Sequence, residues 1–361
     1  MCLTYGPVHS THLKSMDPMR TAKPVLVTGA SGFIAIHCII QLLEQGYYVR
    51  GTLRSMNRSH ELRNTLAKFI QANDRLEFIQ ADLLEEAGWA DAVRGCDYVL
   101  HVASPFPLAQ PKDENDLIRP AKEGTLRVLR AAAENGVKRV VLTSSNAAVS
   151  AGHPRSKTHF DENDWALPDS PTIDPYSKSK TVAERAAWEF MESLPKGHPL
   201  ELVVINPGMV LGPLPDAHRR TSGELAYQLL SGKLPGLAHV QFSCVDVRDV
   251  ASAHLTGMTT PGAAGQRFIC ISQQFWLKEA ASILNQHYES RGYKIRMTVL
   301  PSWTVYIVAL FLKPARLTLR SLDRELFIDT SRIRKILNWK PRSLEEMLVA
   351  MAESMIELKM V

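Results

Sequence analysis

Short apolar runs alternate along most of the chain with longer stretches in which apolar residues recur every three or four positions. The short runs predict strands at 25–28, 48–53, 76–81, 98–102, 139–143, 202–206 and 267–271. Between them the helical period predicts helices over 33–45, 59–71, 85–93, 114–135 and 177–193. Strands that are apolar on both sides need cover on both faces, and a strand–helix alternation supplies it. The pattern therefore predicts an α/β fold, a doubly wound parallel sheet of the Rossmann type, with ligands at the carboxyl ends of the strands. After Pro207 the pattern loosens, with prolines at 213, 215 and 235 and glycines at 212, 223, 232 and 236. A smaller, mostly helical substrate lobe is expected from 209–241, 273–324 and 341–361. The nucleotide-binding domain is expected from 23–208, with segments returning to it at about 242–272 and 325–340. Neither an internal repeat nor a low-complexity tract interrupts this order.

The first strand breaks into a glycine turn and then a helix, within Pro24–Ala35, PVLVTGASGFIA. Strand, glycine turn and helix in that order are the context of a dinucleotide cradle, the bland alternative being an ordinary βα turn. Gly29 permits the tight turn, and Gly32 leaves out a side chain where a pyrophosphate approaches the backbone. The first helical N–H groups face that anion, so the cradle comprises Gly29, Ser31, Gly32, Phe33 and Ile34. The spacing is G-x-x-G-x-x-A, with Ala35 third, which still allows close packing of helix on strand.

The end of the second strand selects between the two nicotinamide cofactors. An NAD site places Asp or Glu there, to accept hydrogen bonds from the ribose. Here the segment reads Arg50-Gly51-Thr52-Leu53-Arg54-Ser55, and no acid occurs until Glu61. Arg54 lies 22 residues past Gly32, and its guanidinium suits a 2′-phosphate, with Arg58 as a second cation. The bland alternative is a pair of solvated arginines. Asp82, followed by Leu83, closes the third strand; it suits the adenine amino group and suits a helix cap equally. His101-Val102-Ala103-Ser104-Pro105 closes the fourth strand, its small residues leaving room for a cofactor.

Three side chains carry the candidate chemistry. Thr143-Ser144-Ser145 ends an apolar strand, so a serine hydroxyl stands at the carboxyl edge of the sheet. Tyr176 and Lys180 are four apart at the start of a helix and share a face. A lysine cation there favours the phenolate and makes the tyrosine a stronger acid. A tyrosine–lysine pair at this spacing is common by chance. One that follows a strand-terminal Ser-Ser in a chain opening on a glycine cradle is specific.

Composition narrows the class. Of 361 residues, 45% are hydrophobic and 22% charged, and the net charge of +5 is scattered rather than blocked, which argues against nucleic-acid binding. Five cysteines, odd in number and mostly in apolar runs, point to reduced buried thiols in a cytoplasmic protein and to no metal site. Residues 1–22 form a polar, Met-rich stretch, expected to be a disordered or appended leader or a start upstream of Met16 or Met19. The apolar segment 303–312 is too short to cross a bilayer, and a buried or surface-apolar helix is expected.

These motifs resemble the extended short-chain dehydrogenase/reductase superfamily, in its dihydroflavonol 4-reductase-like branch. The resemblance rests on VTGASGFIA, YYVRGTLRS, ADL, HVASP, VLTSSNAAV, the 161–165 segment DENDW, YSKSK, INPGMVLGP and DTSRIRKILNW. It implies that Tyr176 is the general acid, that Lys180 binds the ribose and lowers the Tyr176 pKa, and that Ser145 holds the substrate oxygen. It further implies an NADP-selecting Arg54, with Val102, Ala103, Ser104 and Pro207 as cofactor contacts. The implied activity is NADPH-dependent reduction of a hydrophobic aldehyde or ketone. The flavonoid enzymes' substrate loop does not carry over, because Gly208-Met209-Val210 follows Pro207. Met209, Leu211, Leu214, Tyr227 and Leu230 are expected to give the substrate site its apolar surface. Rival readings on the same scaffold are an NAD-dependent nucleotide-sugar epimerase or dehydratase, a 3β-hydroxysteroid dehydrogenase-like enzyme, and a non-catalytic cofactor-sensing regulator. The expected partner is a small carbonyl compound, with no nucleic acid, no stable membrane span, and a monomeric or homodimeric state.

Overall fold

The computed structural model describes residues 23–104, 113–217, 221–311 and 318–361. The leader expected over 1–22, Pro105 of the fourth strand's end and Leu312 lie outside these residues. In chain order the strands are β1 (Val25–Val27), β2 (Val49–Leu53), β3 (Leu76–Gln80), β4 (Tyr98–His101), β5 (Arg139–Thr143) and β6 (His159–Phe160). They continue with β7 (Glu201–Pro207), β8 (Met209–Leu211), β9 (Gln241–Asp246), β10 (Arg267–Cys270), β11 (Gln273–Trp276) and β12 (Phe327–Ile328).

Seven strands form one parallel sheet in the order β10-β7-β5-β4-β1-β2-β3, a Rossmann-type α/β architecture. The chain begins in the middle, runs outward through β2 and β3, then crosses to β4 on the other side of β1. Loops after β1 and β4 therefore part in opposite directions and leave a crevice at their carboxyl ends. Alternation along the strands fills both layers. Val25 and Val27 join one apolar cluster, while Leu26, between them, joins a second with Val99, Val140 and Leu202. The first cluster runs on without interruption from the helix Phe33–Glu44 to Met351 and Met355 in the C-terminal helix Leu344–Glu357, so the segments after Pro207 share the core of the sheet.

Every expected strand is present in this sheet to within a residue at each end, and two expected helices are shorter. The third begins at Trp89 rather than 85, because Gly88 turns left-handed (φ 89°) and the Trp89 indole N–H donates to the carbonyls of Asp82 and Glu85. The second ends at Ala67. Of the segment expected to return to the sheet from 242, β9 pairs instead with β8 and β11 in a separate three-stranded sheet. Only the helix after it, Val247–Thr259, and then β10 come back to the main sheet. Asp246 starts that helix by accepting from the Arg248 N–H at 2.8 Å. Arg139 ends it: from the first position of β5 its guanidinium donates to the carbonyls of Gly257, Met258 and Thr260, at 2.8–3.0 Å. No helix among the described residues is long and apolar enough to cross a membrane. The helix Ser302–Phe311 instead exposes Trp303, Tyr306 and Phe311 at the surface.

Close packing at the crevice has a measurable cost to any added atom. A Cβ on Gly51 of β2 would stand 2.7 Å from the Ala30 Cβ and 2.9 Å from the Phe78 ring. Gly51→Ala is therefore expected to destabilise the fold by about 1–3 kcal/mol, read as a lower urea midpoint. An unchanged midpoint would show that the β2–glycine turn contact has room to relax.

Candidate active site

Local capping places the tyrosine. Asp174 accepts from the Ser177 N–H (3.0 Å) and from the Ser177 hydroxyl (2.6 Å), and Pro175 is the first helical residue, so the helix Pro175–Ser193 starts one residue before Tyr176. Lys180 follows one turn later and is buried. On the facing strand, Thr143 ends β5 and Ser145 lies just past the edge, half-buried, with its hydroxyl accepting from the Ala147 N–H. Tyr176 and Ser145 share a side-chain hydrogen bond. The sequence-expected trio thus meets at the carboxyl edge of the sheet.

Electrostatics run against the expectation of a strengthened acid at Tyr176. Burial pushes Tyr176 above its ordinary value, the Ser145 bond draws it back, and Asp174 adds a small push upward. Lys180 hydrogen-bonds the Thr143 carbonyl, at 3.4 Å, and not the phenol. Burial, opposed by the Glu184 charge, brings Lys180 down to about 8. Tyr176 accordingly carries its proton at neutral pH, ready to give it away, and the lysine one turn on is a cation that titrates near neutrality.

The cradle has the shape that the glycines imply. Gly29 has φ +66°, and a Cβ on it would lie 3.0 Å from the Ala103 Cβ; a Cβ on Gly32 would lie 3.1 Å from the Gly29 carbonyl. Gly29 N–H donates to the Thr52 hydroxyl and Gly32 N–H to the Gly29 carbonyl. The N-cap of the helix Phe33–Glu44 is Gly32, which has no side chain to cap it, and no acid sits in the helix's first turn. The Phe33 ring is buried edge-on to His37, so it offers the cradle its backbone, and Ile34 packs partly on the core. Ala35 is fully buried against the sheet.

Arg54 is the first residue past β2, exposed, and forms no hydrogen bond or ion pair among the described residues. Arg58, also exposed, reaches back to the cradle: its guanidinium lies 3.4 Å from the Ser31 hydroxyl and 3.3 Å from Glu61. Asp82 accepts from the Leu84 N–H at 3.0 Å, so one of its carboxylate oxygens caps the turn after β3. The Leu83 side chain packs on Gly124, and its carbonyl accepts from Arg127. Val102, Ala103 and Ser104 follow β4 half-buried, and Pro207 ends β7 with its carbonyl accepting from Asn146 N–H. Among the residues expected to give apolar substrate surface, Leu211, Leu214, Tyr227 and Leu230 are buried in the core, and Met209 alone is half-buried. Their apolar character serves packing of the smaller lobe.

The chain places further polar groups here that the motifs did not single out. Glu184 is fully buried; one carboxylate oxygen accepts from the Ser144 hydroxyl (2.5 Å) and Asn206 Nδ2 (2.8 Å), the other from Arg267 Nε (2.5 Å). His101 is buried at the end of β4. Its Nδ1 lies 2.8 Å from the Thr28 hydroxyl, whose oxygen accepts from the Ala103 N–H. Burial and the charge on Lys180 bring His101 down to about 3. The sequence signals were faint: Glu184 repeats the four-residue spacing after Lys180, and Asn206 and Arg267 are polar residues inside apolar strands. A roomier groove between β6 and β12 is lined by His159, Asp161, Asp164 and Asp329. Its carboxylates are already taken up by Asn163 N–H, Lys157 and Ser331, and it contains none of the expected site residues.

Comparison with known proteins finds relatives over most of the chain. Residues 25–270 match the model of the NAD dependent epimerase/dehydratase family. The chain is 38% identical over 283 residues to cinnamoyl-CoA reductase CAD2 of Medicago truncatula, covering 76% of this chain and 84% of that protein. It is 35% identical over 271 residues to dihydroflavonol 4-reductase of Zea mays, covering 73% and 74%. Among solved structures, yeast methylglyoxal/isovaleraldehyde reductase Gre2 complexed with NADPH superposes with a TM-score of 0.78 at 29% identity, over 93% of this chain and 99% of that one.

Two buried imidazoles at the edge predict an acid limit to stability. His254, which anchors Thr143 through Nε2 (2.6 Å) and Val250 O through Nδ1 (2.8 Å), is brought down to about 4 by burial. Between 6.5, the ordinary value, and these lowered values the unfolded chain binds protons that the folded chain refuses, so stability falls as pH falls. Urea unfolding is expected to show midpoints declining from pH 6.5 toward 4.5, with a shallower decline in His254→Asn. Identical slopes in the two proteins would remove His254 from the explanation.

Proposed function

The chain belongs to the NAD dependent epimerase/dehydratase family, and we propose that it works there as an NADPH-dependent reductase of a hydrophobic aldehyde or ketone. It is an oxidoreductase of the extended short-chain dehydrogenase/reductase type, in the dihydroflavonol 4-reductase-like branch, and its cofactor is NADP(H). The observation that carries the catalytic reading is the Ser145–Tyr176 hydrogen bond, one helical turn from Lys180, on the sheet edge shared with the glycine cradle.

The residues present fit the cofactor. The Gly29–Gly32 turn, where a Cβ on either glycine would crowd its neighbours, and the N-terminus of the helix Phe33–Glu44 suit the pyrophosphate, with Ser31 beside them. Arg54 and Arg58 stand where the 2′-phosphate of the adenosine ribose belongs, and the absence of an acid at the end of β2 weighs against the NAD-dependent epimerase reading. Asp82 and Leu83 border the adenine position; Val102, Ala103, Ser104 and Pro207 border the nicotinamide position, and Lys180 suits its ribose. Bound there, NADPH supplies the hydride. Tyr176 gives its proton to the carbonyl oxygen as negative charge develops on it, and Ser145 hydrogen-bonds the same oxygen. The Lys180 cation stabilises the phenolate that remains. Free, buried thiols at Cys38, Cys96, Cys244 and Cys270 support a reducing, cytoplasmic setting, and a monomer or homodimer completes the reading.

The testing experiment is NADPH oxidation with aliphatic and aryl aldehydes, diketones, dihydroflavonols and a nucleotide-diphosphate sugar. Simple hydrophobic carbonyls are expected to turn over, and Tyr176→Phe is expected to slow turnover about 10²–10⁴-fold with NADPH affinity nearly unchanged. Preference for the sugar nucleotide, or a Tyr176→Phe protein with normal turnover, would overturn the assignment.

Cofactor choice gives a separate check. Fluorescence titration is expected to show tighter binding of NADPH than NADH, and Arg54→Ala is expected to erode the difference by about 1.5–3 kcal/mol, the range for hydrogen bonds to a charged group. Equal affinities in the unmodified protein would place the 2′-phosphate elsewhere.

A further inference from the structure

Lys180 is a buried cation whose hydrogen bond goes to a neutral carbonyl, that of Thr143. Burial costs an ammonium its charge unless an anion acts on it through the low-dielectric interior. Glu184 lies one turn further along the same helix, on the same face, and its side chain has no exposed surface. Both residues line one small cavity together with Thr143, Ser144, Ala103 and Ser104, at the edge where the cofactor cradle meets the catalytic strand.

We propose that Glu184 is a positioning residue for the carbonyl reduction: its buried carboxylate keeps Lys180 a cation and ties Ser144, Asn206 and Arg267 to the catalytic helix. This rests on the reading of Tyr176 and Lys180 as the proton-donating pair. The geometry gives Glu184 two roles. Through the Ser144 hydroxyl it holds the residue next to Ser145, and Asn206, bonded to Glu184, also donates to the Ser145 carbonyl at 3.1 Å. The position of the Ser145 hydroxyl relative to Tyr176 is thereby set from behind by a group that touches neither substrate nor cofactor. The second role is electrostatic. The groups facing Lys180 are Tyr176 and Glu184 on its own helix, His101 from β4, and Arg267 from β10 by way of Glu184. His101 is neutral and Arg267 is positive, so Glu184 is the anion in this set, and it raises the Lys180 value against burial.

The sign of the effect follows. Lys180 titrates at about 8 and loses its charge as pH rises through that value. Removing the Glu184 charge lowers the value further, so the cation is lost at lower pH. The experiment measures NADPH affinity by fluorescence, and kcat for a substrate found in the panel, from pH 6 to 9. It uses the unmodified protein, Glu184→Gln, and both Glu184 forms in a Lys180→Arg background. In Glu184→Gln the alkaline fall of both quantities is expected to move down by about 1 pH unit. In the Lys180→Arg background, where the cation does not titrate, Glu184→Gln is expected to leave the pH profile in place. Glu184→Asp keeps the charge but draws it back by a methylene; it is expected to shift the fall less, and carries the test if Glu184→Gln does not fold. An unshifted alkaline fall in a folded variant would overturn the proposal, as would an equal shift with arginine at 180. The affinity arm needs no carbonyl substrate, so failure of the reductase reading leaves the Glu184 result readable by itself.

Discussion

A carboxylate with no exposed surface is destabilising by several kcal/mol unless donors surround it, and the candidate catalytic edge is arranged around one such group. The donors to Glu184 from outside its own helix come from just past β5 (Ser144), from the end of β7 (Asn206) and from the start of β10 (Arg267). Three segments far apart in sequence therefore meet one helix, and none can shift without leaving a charge or an amide unpaired. Arg267 carries the constraint outward. Its guanidinium lies 3.6 Å from the centre of the Trp165 ring and donates to the carbonyls of Glu162 and Asp164. The 161–165 segment, noticed in the sequence only as part of a family likeness, thus closes the outer side of the same ion pair.

The other half of the edge depends on closeness rather than charge. Gly29 against Ala103 and Gly51 against Ala30 let the turn after β1 lie directly on its two neighbours. That contact shapes the crevice where the chain crosses from β3 to β4. The Ala103–Thr28–His101 hydrogen-bond chain then pins the first residues past β4, which border the nicotinamide position in the proposed reading. Lys180 stands between the two halves. Its ammonium hydrogen-bonds the Thr143 carbonyl on β5, and its charge acts on His101 at the end of β4.

Much of this was legible in the chain. Strands buried on both faces leave unbroken apolar runs, so all seven members of the main sheet were found. Glycines at 29 and 32 and the Tyr176–Lys180 spacing marked the two halves of the edge, because backbone approach and helical phase leave fixed spacings. Length does not set β8 and β9 apart, since they have three and six residues against three in β1; their partners are decided by tertiary pairing. A local pattern could not reveal that the 242 region would leave the main sheet. Glu184 was hidden for a different reason. An acid in an amphipathic helix reads as solvated, and only the arrival of Arg267 from 83 positions away explains its burial. The phenol's acidity was likewise beyond spacing alone, since burial raises Tyr176 and the Ser145 hydrogen bond only partly draws it back.

The contrast between cofactor and substrate has the same root. A dinucleotide is held by backbone N–H groups, by missing side chains and by a charge at the end of β2, and all of these follow from strand register. A hydrophobic substrate is held by side chains that core residues resemble in every local respect. In the smaller lobe, Leu211 and Leu214 face the interior while Met209, two positions before Leu211 on the same strand, stays half-buried. Composition and period 2 do not separate these roles; what separates them is the burial of the helix Thr221–Leu230, with Tyr227 and Leu230, in the core they share. In the proposed reading, substrate range rests on the few apolar side chains that packing leaves over, apart from the cradle, the Ser145–Tyr176 pair and the Glu184 network.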